Sequence, residues 1–309
     1  MGEIKVKNVM HDTKTMYGVS NTLLVIDGFN LLSRAYFATS YNRSEEQLKN
    51  SNGIYTNAIR VFFQKMINLT KEYQASHLAI AWDVKRDETS RRQEFDFYKA
   101  TRGELPKPLI EQYETCHEIL RQIGVQQIAI APHEADDVIG TLATNWTSGH
   151  CFIYSNDRDL FQLLSDTTSQ IIASKQGEYV YDIAQFNEEY GIEAAQWVDV
   201  KALLGDSSDN IPGCPGIGPK SALPLIQHYG SIEHLYGNLD DLDEKFNRHK
   251  KKLVAGKEST LISRRLSEIN CCISELADIE EEKLRLNIDR IALMKQATEL
   301  EVRLKLDAV

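Results

Sequence analysis

Four short apolar segments, each followed by acidic residues, are the feature that most constrains the fold of this chain. They read LLVID, HLAIAWD, QQIAIAPHEADD and CFIYSNDRD. Helical patterns such as AIRVFFQKMINLTKEY and LIEQYETCHEILRQIG lie between them, and this alternation predicts an α/β fold with a mainly parallel sheet flanked by helices. Ligands of such sheets bind at the carboxyl ends of the strands, so the acids are expected to face a single site.

Nine acidic residues are expected at this edge of the sheet. Seven follow the strand-like segments and two lie on the turn after the helical pattern WVDVKALLG; they are Asp27, Asp83, Glu134, Asp136, Asp137, Asp157, Asp159, Asp206 and Asp209. Any one of them can be a turn or helix-capping residue. Together they would repel one another unless cations are bound, and oxygen ligands without His or Cys favour Mg²⁺ or Mn²⁺ over zinc. This pattern predicts metal-dependent phosphoryl chemistry.

The negative charge of the chain resides largely in this predicted cluster. The 309 residues have a net charge of −10, which would be about −1 without the nine acids. Residues 245–265, which include Lys250 and Lys251, carry eight Lys or Arg and one Glu. Such a segment is either a solvated helix surface or a basic face that binds nucleic acid.

Composition and termini narrow the class of protein further. With 42% hydrophobic and 26% charged residues the chain has the composition of a soluble globular protein, and no apolar run approaches the ~18 residues of a membrane span. Its five cysteines include no C-x-x-C pair, and no secretion signal is visible at the N-terminus. We therefore expect a cytoplasmic protein without a membrane partner, preceded by a ragged tail over residues 1–20.

The stretch GCPGIGPKS resembles a nucleotide-binding phosphate loop, but Pro219 separates Gly218 from Lys220. The proline shifts the lysine and removes a backbone N–H donor, so no nucleotide cofactor is expected. Gly216 and Gly218 still permit a tight turn before a helix, where N–H groups can bind one phosphate of a DNA strand beside Lys220 and Ser221. A plain glycine-rich helix connection is the alternative.

The sequence resembles the 5′ nucleases related to flap endonucleases. This family includes the 5′-exonuclease domain of bacterial DNA polymerase I and stand-alone bacterial 5′–3′ exonucleases. The stretches EADDVIGTLA, DRDLFQLL and GDSSDNIPGCPGIGPKSA, in this order, carry the resemblance, which extends from about Leu23 to beyond Ser274. It implies a PIN-like nuclease domain, a helix-three-turn-helix module that grips duplex DNA, two divalent metals, and a monovalent cation at the module.

The resemblance also assigns roles to individual residues. The first metal site would consist of Asp27, Asp83, Glu134, Asp136 and Asp137, and the second of Asp157, Asp159, Asp206 and Asp209, with Asp136 and Asp157 central to catalysis.

The stretch RDETSRRQEFDFYKATR resembles the helical arch of the family, at about 84–107, past which a single strand with a free 5′ end runs. Lys99, with Arg102, would neutralise charge on the scissile phosphate, Tyr98 would stack near a displaced base, and Arg34 would contact a further phosphate. An exposed amphipathic helix of mixed charge is the alternative for this stretch.

The sequence departs from the usual family pattern at two places in the folded part. Ser155 and Asn156 stand where Thr and Gly are common, and we expect Asn156 to preserve the turn because Asn tolerates positive φ. Pro224 lies inside the helix that begins near Pro219 and is expected to disturb the packing of the module. The domain division expected is 21–192 for the nuclease and 193–309 for a helical C-terminal domain.

The function predicted from these features is divalent-metal-dependent 5′–3′ exonuclease or flap endonuclease activity. The partner would be DNA with a free 5′ end or a 5′ flap, cleaved by a monomer according to structure rather than base sequence. Two alternatives share part of the pattern: a PIN-type ribonuclease has the acidic sheet edge, and a catalytically weak DNA-structure-binding protein has the module.

Overall fold

A six-stranded sheet lies at the centre of the molecule. The computed structural model describes residues 21–306, so the expected tail at 1–20 lies outside the described residues. The strands are β1 (Asn21–Asp27), β2 (His77–Ala81), β3 (Gln126–Ile128), β4 (Gly149–Tyr154), β5 (Thr168–Ser174) and β6 (Gly177–Tyr181). Their order is β3-β2-β1-β4-β5-β6, and every pair is parallel except β5 with β6. The predicted α/β class with a mainly parallel sheet is confirmed.

Helices surround the sheet and form a separate group toward the C-terminus. Within the described residues they are α1 (Gly28–Ser40), α2 (Asn57–Glu72), α3 (Ser90–Glu94), α4 (Lys107–Gln122), α5 (Ala135–Asn145), α6 (Ile183–Tyr190), α7 (Trp197–Leu204), α8 (Pro219–Tyr229), α9 (Ile232–Gly237), α10 (Lys250–Ala255), α11 (Lys257–Ser267), α12 (Glu281–Leu284) and α13 (Arg290–Glu299). No helix in the range 21–306 is long and apolar enough to cross a bilayer.

Strand β1 explains why the acids meet at one edge. Its apolar run is buried on both faces, as expected for a central parallel strand. Leu24 and Ile26 pack in the core that includes α1, α2 and α4, whereas Leu23 and Val25 pack in the core around α5. Because β1 lies between β2 and β4 in parallel register, the residues that follow these three strands emerge at the same edge, beginning with Asp27.

The β5–β6 hairpin, Thr168–Tyr181, was not among the predicted strands. Residues 170–174 and 177–181 pair in antiparallel register through a two-residue turn. The hairpin extends the sheet beyond β4, and Lys65 of α2 forms an ion pair with Glu178 on it at 2.5 Å. Its strands carry no acidic cluster at their ends, so the pattern that identified the other four strands did not include them.

Helices α7 to α11 form a helical module whose core is continuous with Ile172 of β5, Tyr181 of β6 and Phe186 of α6. Residues such as Leu203, Leu225, Leu235 and Leu253 are fully buried within it. Pro224 lies inside α8, yet the helix continues through it and buries Leu225. The expected disturbance of packing at this proline is therefore not observed.

Residues 269–306 leave the helical module and return to the sheet. Leu276 packs in the core around α5, Leu293 packs in the core around α4, and the Leu286 N–H donates to the Ser76 carbonyl at 2.9 Å. Residues 269–306 of the expected unit 193–309 thus pack against the nuclease sheet, and the division of the chain at residue 192 stays a prediction. The module ends near residue 267, and the following chain stabilises the nuclease sheet.

Leu293→Ala is expected to lower the free energy of unfolding by about 2–4 kcal/mol, because it leaves a cavity where a side chain only 2% exposed contacts the sheet core. The neighbouring Met294, 57% exposed on the same helix, provides the matched control Met294→Ala, which should change it by less than about 0.5 kcal/mol. Urea unfolding compares the two. Equal midpoints would contradict the packing of α13 against the core.

Candidate active site

Seven of the nine predicted acids line one cavity of about 230 Å³ at the carboxyl edge of the sheet. They are Asp27, Asp83, Glu134, Asp136, Asp157, Asp159 and Asp209. They come from the end of β1, from the segment after β2, from the start of α5, from the segment after β4 and from the turn after α7. The other two predicted acids, Asp137 and Asp206, lie just outside the cavity. We call the full set of nine the acidic edge. A larger cavity of about 430 Å³ lies beyond Arg91, and Asp137 is the acid of this set on its wall.

Asp27 is a buried carboxylate of the cavity. It caps α1 by accepting from the Asn30 N–H at 3.0 Å, and it accepts from the Ser155 hydroxyl at 2.9 Å. Burial, followed by the nearby charge of Asp83, raises the pKa of Asp27 to about 7. The side chain thus caps the helix, and its ionised form would be stabilised by a bound cation.

Asp83 and Asp136 are in the same electrostatic situation. The Ala135 N–H donates to Asp83 at 2.9 Å, which joins the segment after β2 to the start of α5. The pKa of Asp83 is raised because surrounding protein displaces water, although its side chain remains accessible from the cavity. Burial and the charges of Asp157, Asp27 and Asp83 raise the pKa of Asp136 well above its usual value.

Basic side chains compensate other members of the acidic edge. Lys99 is 2.6 Å from Glu134, Arg102 is 2.5 Å from Asp209, and Lys201 is 2.8 Å from Asp159 and 3.2 Å from Asp206. The sequence argument, in which cations from solution alone relieve the repulsion, was therefore incomplete. It did not include Lys201. The sequence feature that could have identified this lysine is its position five residues before Asp206, on a helix that ends at the acidic edge.

Asp137 is held away from the cavity by Arg91. The two side chains form paired hydrogen bonds at 2.7 and 2.8 Å, and Asp137 also accepts from the backbone N–H groups of Asn270 and Glu134. Burial acts to raise the pKa of Asp137, but the bonds from Arg91 outweigh it and the pKa is lowered. Its predicted role as a metal ligand stays a prediction, whereas its role in anchoring Arg91 is direct.

Asp206 is likewise fixed by its neighbours. Ser208 donates to it from its N–H and its hydroxyl, at 2.8 and 2.6 Å. Against the effect of burial, these bonds and the charge of Lys201 lower the pKa of Asp206. The two acids outside the cavity are thus the two whose pKa is lowered, and those facing it include the carboxyls with a raised pKa.

The arch segment, residues 84–107, lies over the cavity. It contains a 3-10 turn at Arg86–Glu88 and the five-residue α3 rather than one long helix. Lys99 has a left-handed backbone (φ 53°), and its N–H donates to the Asp209 carbonyl at 2.8 Å. A non-glycine residue in this region carries strain of about 1 kcal/mol or more.

Tyr98 does not present its ring to the cavity mouth. It is 3% exposed, packs with Leu266 and Ile211, and donates its hydroxyl to Glu134 at 3.1 Å. Stacking on a nucleobase therefore stays a prediction, and it requires the arch segment to move.

The predicted DNA contacts of the helical module lie on its exposed side. Gly216 has φ 81°, Gly218 precedes α8 with extended backbone, and Lys220 is exposed in the first turn with Ser221 partly buried after it. The Lys252 ammonium, which the sequence argument did not single out, donates to the Gly216 carbonyl at 3.0 Å. Lysine therefore borders the glycine turn on two sides.

The basic segment 245–265 is partly neutralised by the protein itself. Arg264 forms an ion pair with Asp199 at 3.0 Å, and Arg265 pairs with Glu94 of the arch segment. Lys250 bonds to the Asp240 carbonyl at 3.1 Å, whereas Lys251 is exposed. The basic face is thus narrower than the sequence suggested.

Asn156 does not adopt the positive φ that was expected at this turn. Its side chain instead bonds to Arg34 of α1 and to the backbone of Ala173 on β5. The turn is kept by side-chain bonding rather than by a left-handed residue.

The donor set of the cavity fits a hard divalent cation. Its candidate ligands are carboxylate oxygens, and burial followed by the like charges of neighbouring carboxylates raises the pKa of Asp27 and of Asp136. As placed, no three His, Cys, Asp or Glu side chains within residues 21–306 converge closely enough to share one ion. Glu134, Asp159 and Asp209 are instead paired with Lys99, Lys201 and Arg102 respectively.

Fold and cavity together define an α/β nuclease with a carboxylate-lined active site followed by a helical module. Comparison with known families agrees: residues 22–191 match the model of the 5′-3′ exonuclease N-terminal resolvase-like domain, and residues 192–289 match that of the 5′-3′ exonuclease C-terminal SAM fold. The chain therefore belongs to the 5′-3′ exonuclease family, whose members are phosphodiester hydrolases.

Individual relatives support the family assignment. The chain is 55% identical to a 5′-3′ exonuclease of Halalkalibacterium halodurans over 94% of this chain and 97% of the relative. It is 37% identical to DNA polymerase I of Lactococcus lactis subsp. lactis over 80% of this chain but 28% of the polymerase. A bacteriophage T5 flap endonuclease, solved as a pseudo-enzyme–product complex with DNA and metal ions, has the same fold, with a TM-score of 0.63, 22% identity and coverage of 91% of this chain and 98% of the other.

Asp27→Asn is expected to stabilise the protein in EDTA at pH 8. The folded-state pKa of about 7 exceeds the unfolded value of 3.8, so the stabilisation due to protonated Asp27 is complete below pH 3.8 and is lost as the pH rises to about 7. Asn keeps the helix cap without the charge, and the gain at pH 8 should be at least about 1 kcal/mol. Melting temperatures at pH 5 and pH 8 provide the measurement. A gain of equal size at both pH values would show that charge is not the cause.

Proposed function

We propose that this 5′-3′ exonuclease hydrolyses phosphodiesters of DNA at or near 5′ ends and at 5′ flaps, as a monomer that uses two Mg²⁺ or Mn²⁺ ions. The observation that carries the proposal is the cavity in which seven carboxylates from five segments face one space. The relatives support the choice of substrate, since they include a DNA polymerase and a flap endonuclease solved with DNA and metal ions.

The first ion would be held by Asp27, Asp83 and Asp136 with Glu134, and the second by Asp157, Asp159 and Asp209. Asp137 and Asp206, which are fixed by Arg91 and by Ser208 and Lys201, support these groups from outside the cavity. When bound, a pair of such ions lowers the pKa of water and stabilises the attacking and leaving oxygens of the displaced phosphate.

The protein side chains contribute positioning and charge. Lys99 and Arg102 line the cavity, and pairing with Glu134 keeps the pKa of the Lys99 ammonium raised although burial acts to lower it. A lysine that is always protonated can neutralise charge gathering on a phosphate but cannot act as a general base. Lys99 would leave Glu134 and bind the phosphate when the arch segment engages the substrate.

The helical module would hold the duplex behind the cleavage site. The glycine turn and the exposed Lys220 in the first turn of α8 would together suit one backbone phosphate. Backbone contacts of this kind select DNA shape and not base sequence. The monovalent cation at this module stays a prediction of the family resemblance.

A labelled duplex with a 5′ flap tests the proposal. The wild-type chain should release short 5′ products with Mg²⁺ and none in EDTA, while Asp136→Asn and Asp157→Asn should lower the rate by about 10²-fold or more. Asp278→Asn, an exposed acid after the helical module, is the matched control and should cleave normally. Near-normal rates for both cavity variants would refute the proposed metal chemistry, and preferential cleavage of single-stranded RNA would favour the ribonuclease alternative.

Lys220→Ala is expected to weaken duplex binding to a similar extent for unrelated sequences. Loss of one phosphate contact should reduce the slope of log affinity against log salt by about 1. Binding is measured in EDTA over a series of salt concentrations, with Lys295→Ala on α13 as an exposed control. An unchanged slope for Lys220→Ala would remove this lysine from the DNA interface.

A further inference from the structure

Arg34 differs from the other cations near the cavity in having neutral partners. It lies on α1 beside Asn30 and Ser33, which line the cavity, and its guanidinium donates to the Asn156 side-chain carbonyl and to the Ala173 carbonyl. By contrast, Arg91, Lys99, Arg102 and Lys201 each form an ion pair with a carboxylate. Within residues 21–306 no carboxylate lies within 4.0 Å of Arg34, so its charge is not neutralised by pairing with the protein.

The amide of Asn156 is fixed by the sheet before it contacts Arg34. Its carbonyl oxygen accepts from the Ala173 N–H at 3.1 Å, and its NH₂ group donates to the Ala173 carbonyl at 2.8 Å. The parallel pairing of β4 with β5 ends at Tyr154 with Ile171, so this side chain continues the ladder one step further. Both bonds require the same orientation of the amide, in which its oxygen also accepts from the Arg34 guanidinium.

The position of Asn156 in the chain connects Arg34 to the acidic edge. The preceding Ser155 hydroxyl donates to Asp27 and accepts from the Asp157 N–H at 3.1 Å, and the following residue is Asp157 itself. The bond from Arg34 to Asn156 therefore fixes the guanidinium relative to two carboxylates of the cavity. A carboxylate at position 156 would hold Arg34 more strongly, but it would also neutralise it.

We propose that Asn156 is a positioning residue, which holds Arg34 in place with its charge uncompensated so that the guanidinium binds a phosphate of the DNA strand next to the scissile one. The inference rests on the proposed function and goes beyond it. It explains why a neutral amide stands at this turn. It also gives Asn156 an effect on DNA binding that depends on Arg34, which a purely structural residue would not have.

A double-mutant cycle tests the dependence. Affinity for the 5′-flap duplex is measured in EDTA against salt for the wild type, Arg34→Ala, Asn156→Gly and the double variant. Arg34→Ala is expected to lower affinity by about 5- to 10-fold and to reduce the salt slope by about 1. Asn156→Gly should lower affinity by about 3-fold or more, and the double variant should bind no worse than Arg34→Ala. Arg121→Ala, an exposed arginine near the start of β3 at the opposite edge of the sheet, is the control.

Asn156→Asp separates positioning from folding. The aspartate loses the N–H that donates to the Ala173 carbonyl, but it keeps an acceptor for Arg34 and for the Ala173 N–H and forms an ion pair with Arg34, so the melting temperature should fall by no more than in Asn156→Gly. DNA affinity should nevertheless decrease by about as much as in Arg34→Ala, and the salt slope should again fall by about 1, because the guanidinium is neutralised.

The outcomes distinguish this inference from the proposed function. Losses for Arg34→Ala and Asn156→Gly that add fully in the double variant, or an unchanged affinity for Asn156→Asp, would overturn the role of Asn156. A wild-type chain that neither binds nor cleaves the flap duplex would instead refute the proposed function.

Discussion

Charge compensation at the carboxyl edge of the sheet is the interaction on which the arrangement of the molecule depends. Six acids of the cavity meet there because parallel strands end at one edge, a seventh comes from the turn after α7, and basic side chains from other parts of the chain balance several of them. Arg91, Lys99 and Arg102 come from the arch segment, and Lys201 comes from the helical module. The acidic edge thereby holds together three parts of the chain that are remote in sequence.

The segment 267–270 extends this connection to the backbone. Gln162, five residues after Asp157, donates to the Ser267 carbonyl at 3.1 Å and accepts from the Ile269 N–H at 3.1 Å. Arg91 donates to the Glu268 carbonyl at 2.6 Å, and the Asn270 N–H donates to Asp137 at 2.8 Å. The segment at the end of α11 is therefore bonded to Asp137 and to Gln162, which lies in the turn that begins at Asp159.

The carboxylates fall into two groups with different physical roles. Asp137 and Asp206 have hydrogen-bond donors on their oxygens and a lowered pKa, and they orient Arg91 and the turn after α7. Within residues 21–306, Asp27, Asp83 and Asp136 form no ion pair with a basic side chain, and their pKa is raised, which is the condition that favours cation binding. Asp159 is intermediate, because burial and Asp157 raise its pKa to about 6 despite the ion pair with Lys201.

The sequence by itself determined the sheet class, the edge at which the acids meet and the family, because apolar runs with terminal acids and glycine turns are local patterns. It did not determine which acids face the cavity: Asp136 and Asp137 are adjacent in sequence, yet one lines the cavity and the other is turned to Arg91. The return of residues 269–306 to the sheet and the bond from Asn156 to Arg34 were also decided by the tertiary structure, because they join residues more than 100 positions apart and no local spacing encodes them. The β5–β6 hairpin is local, but its strands lack the terminal acids that identified the other four.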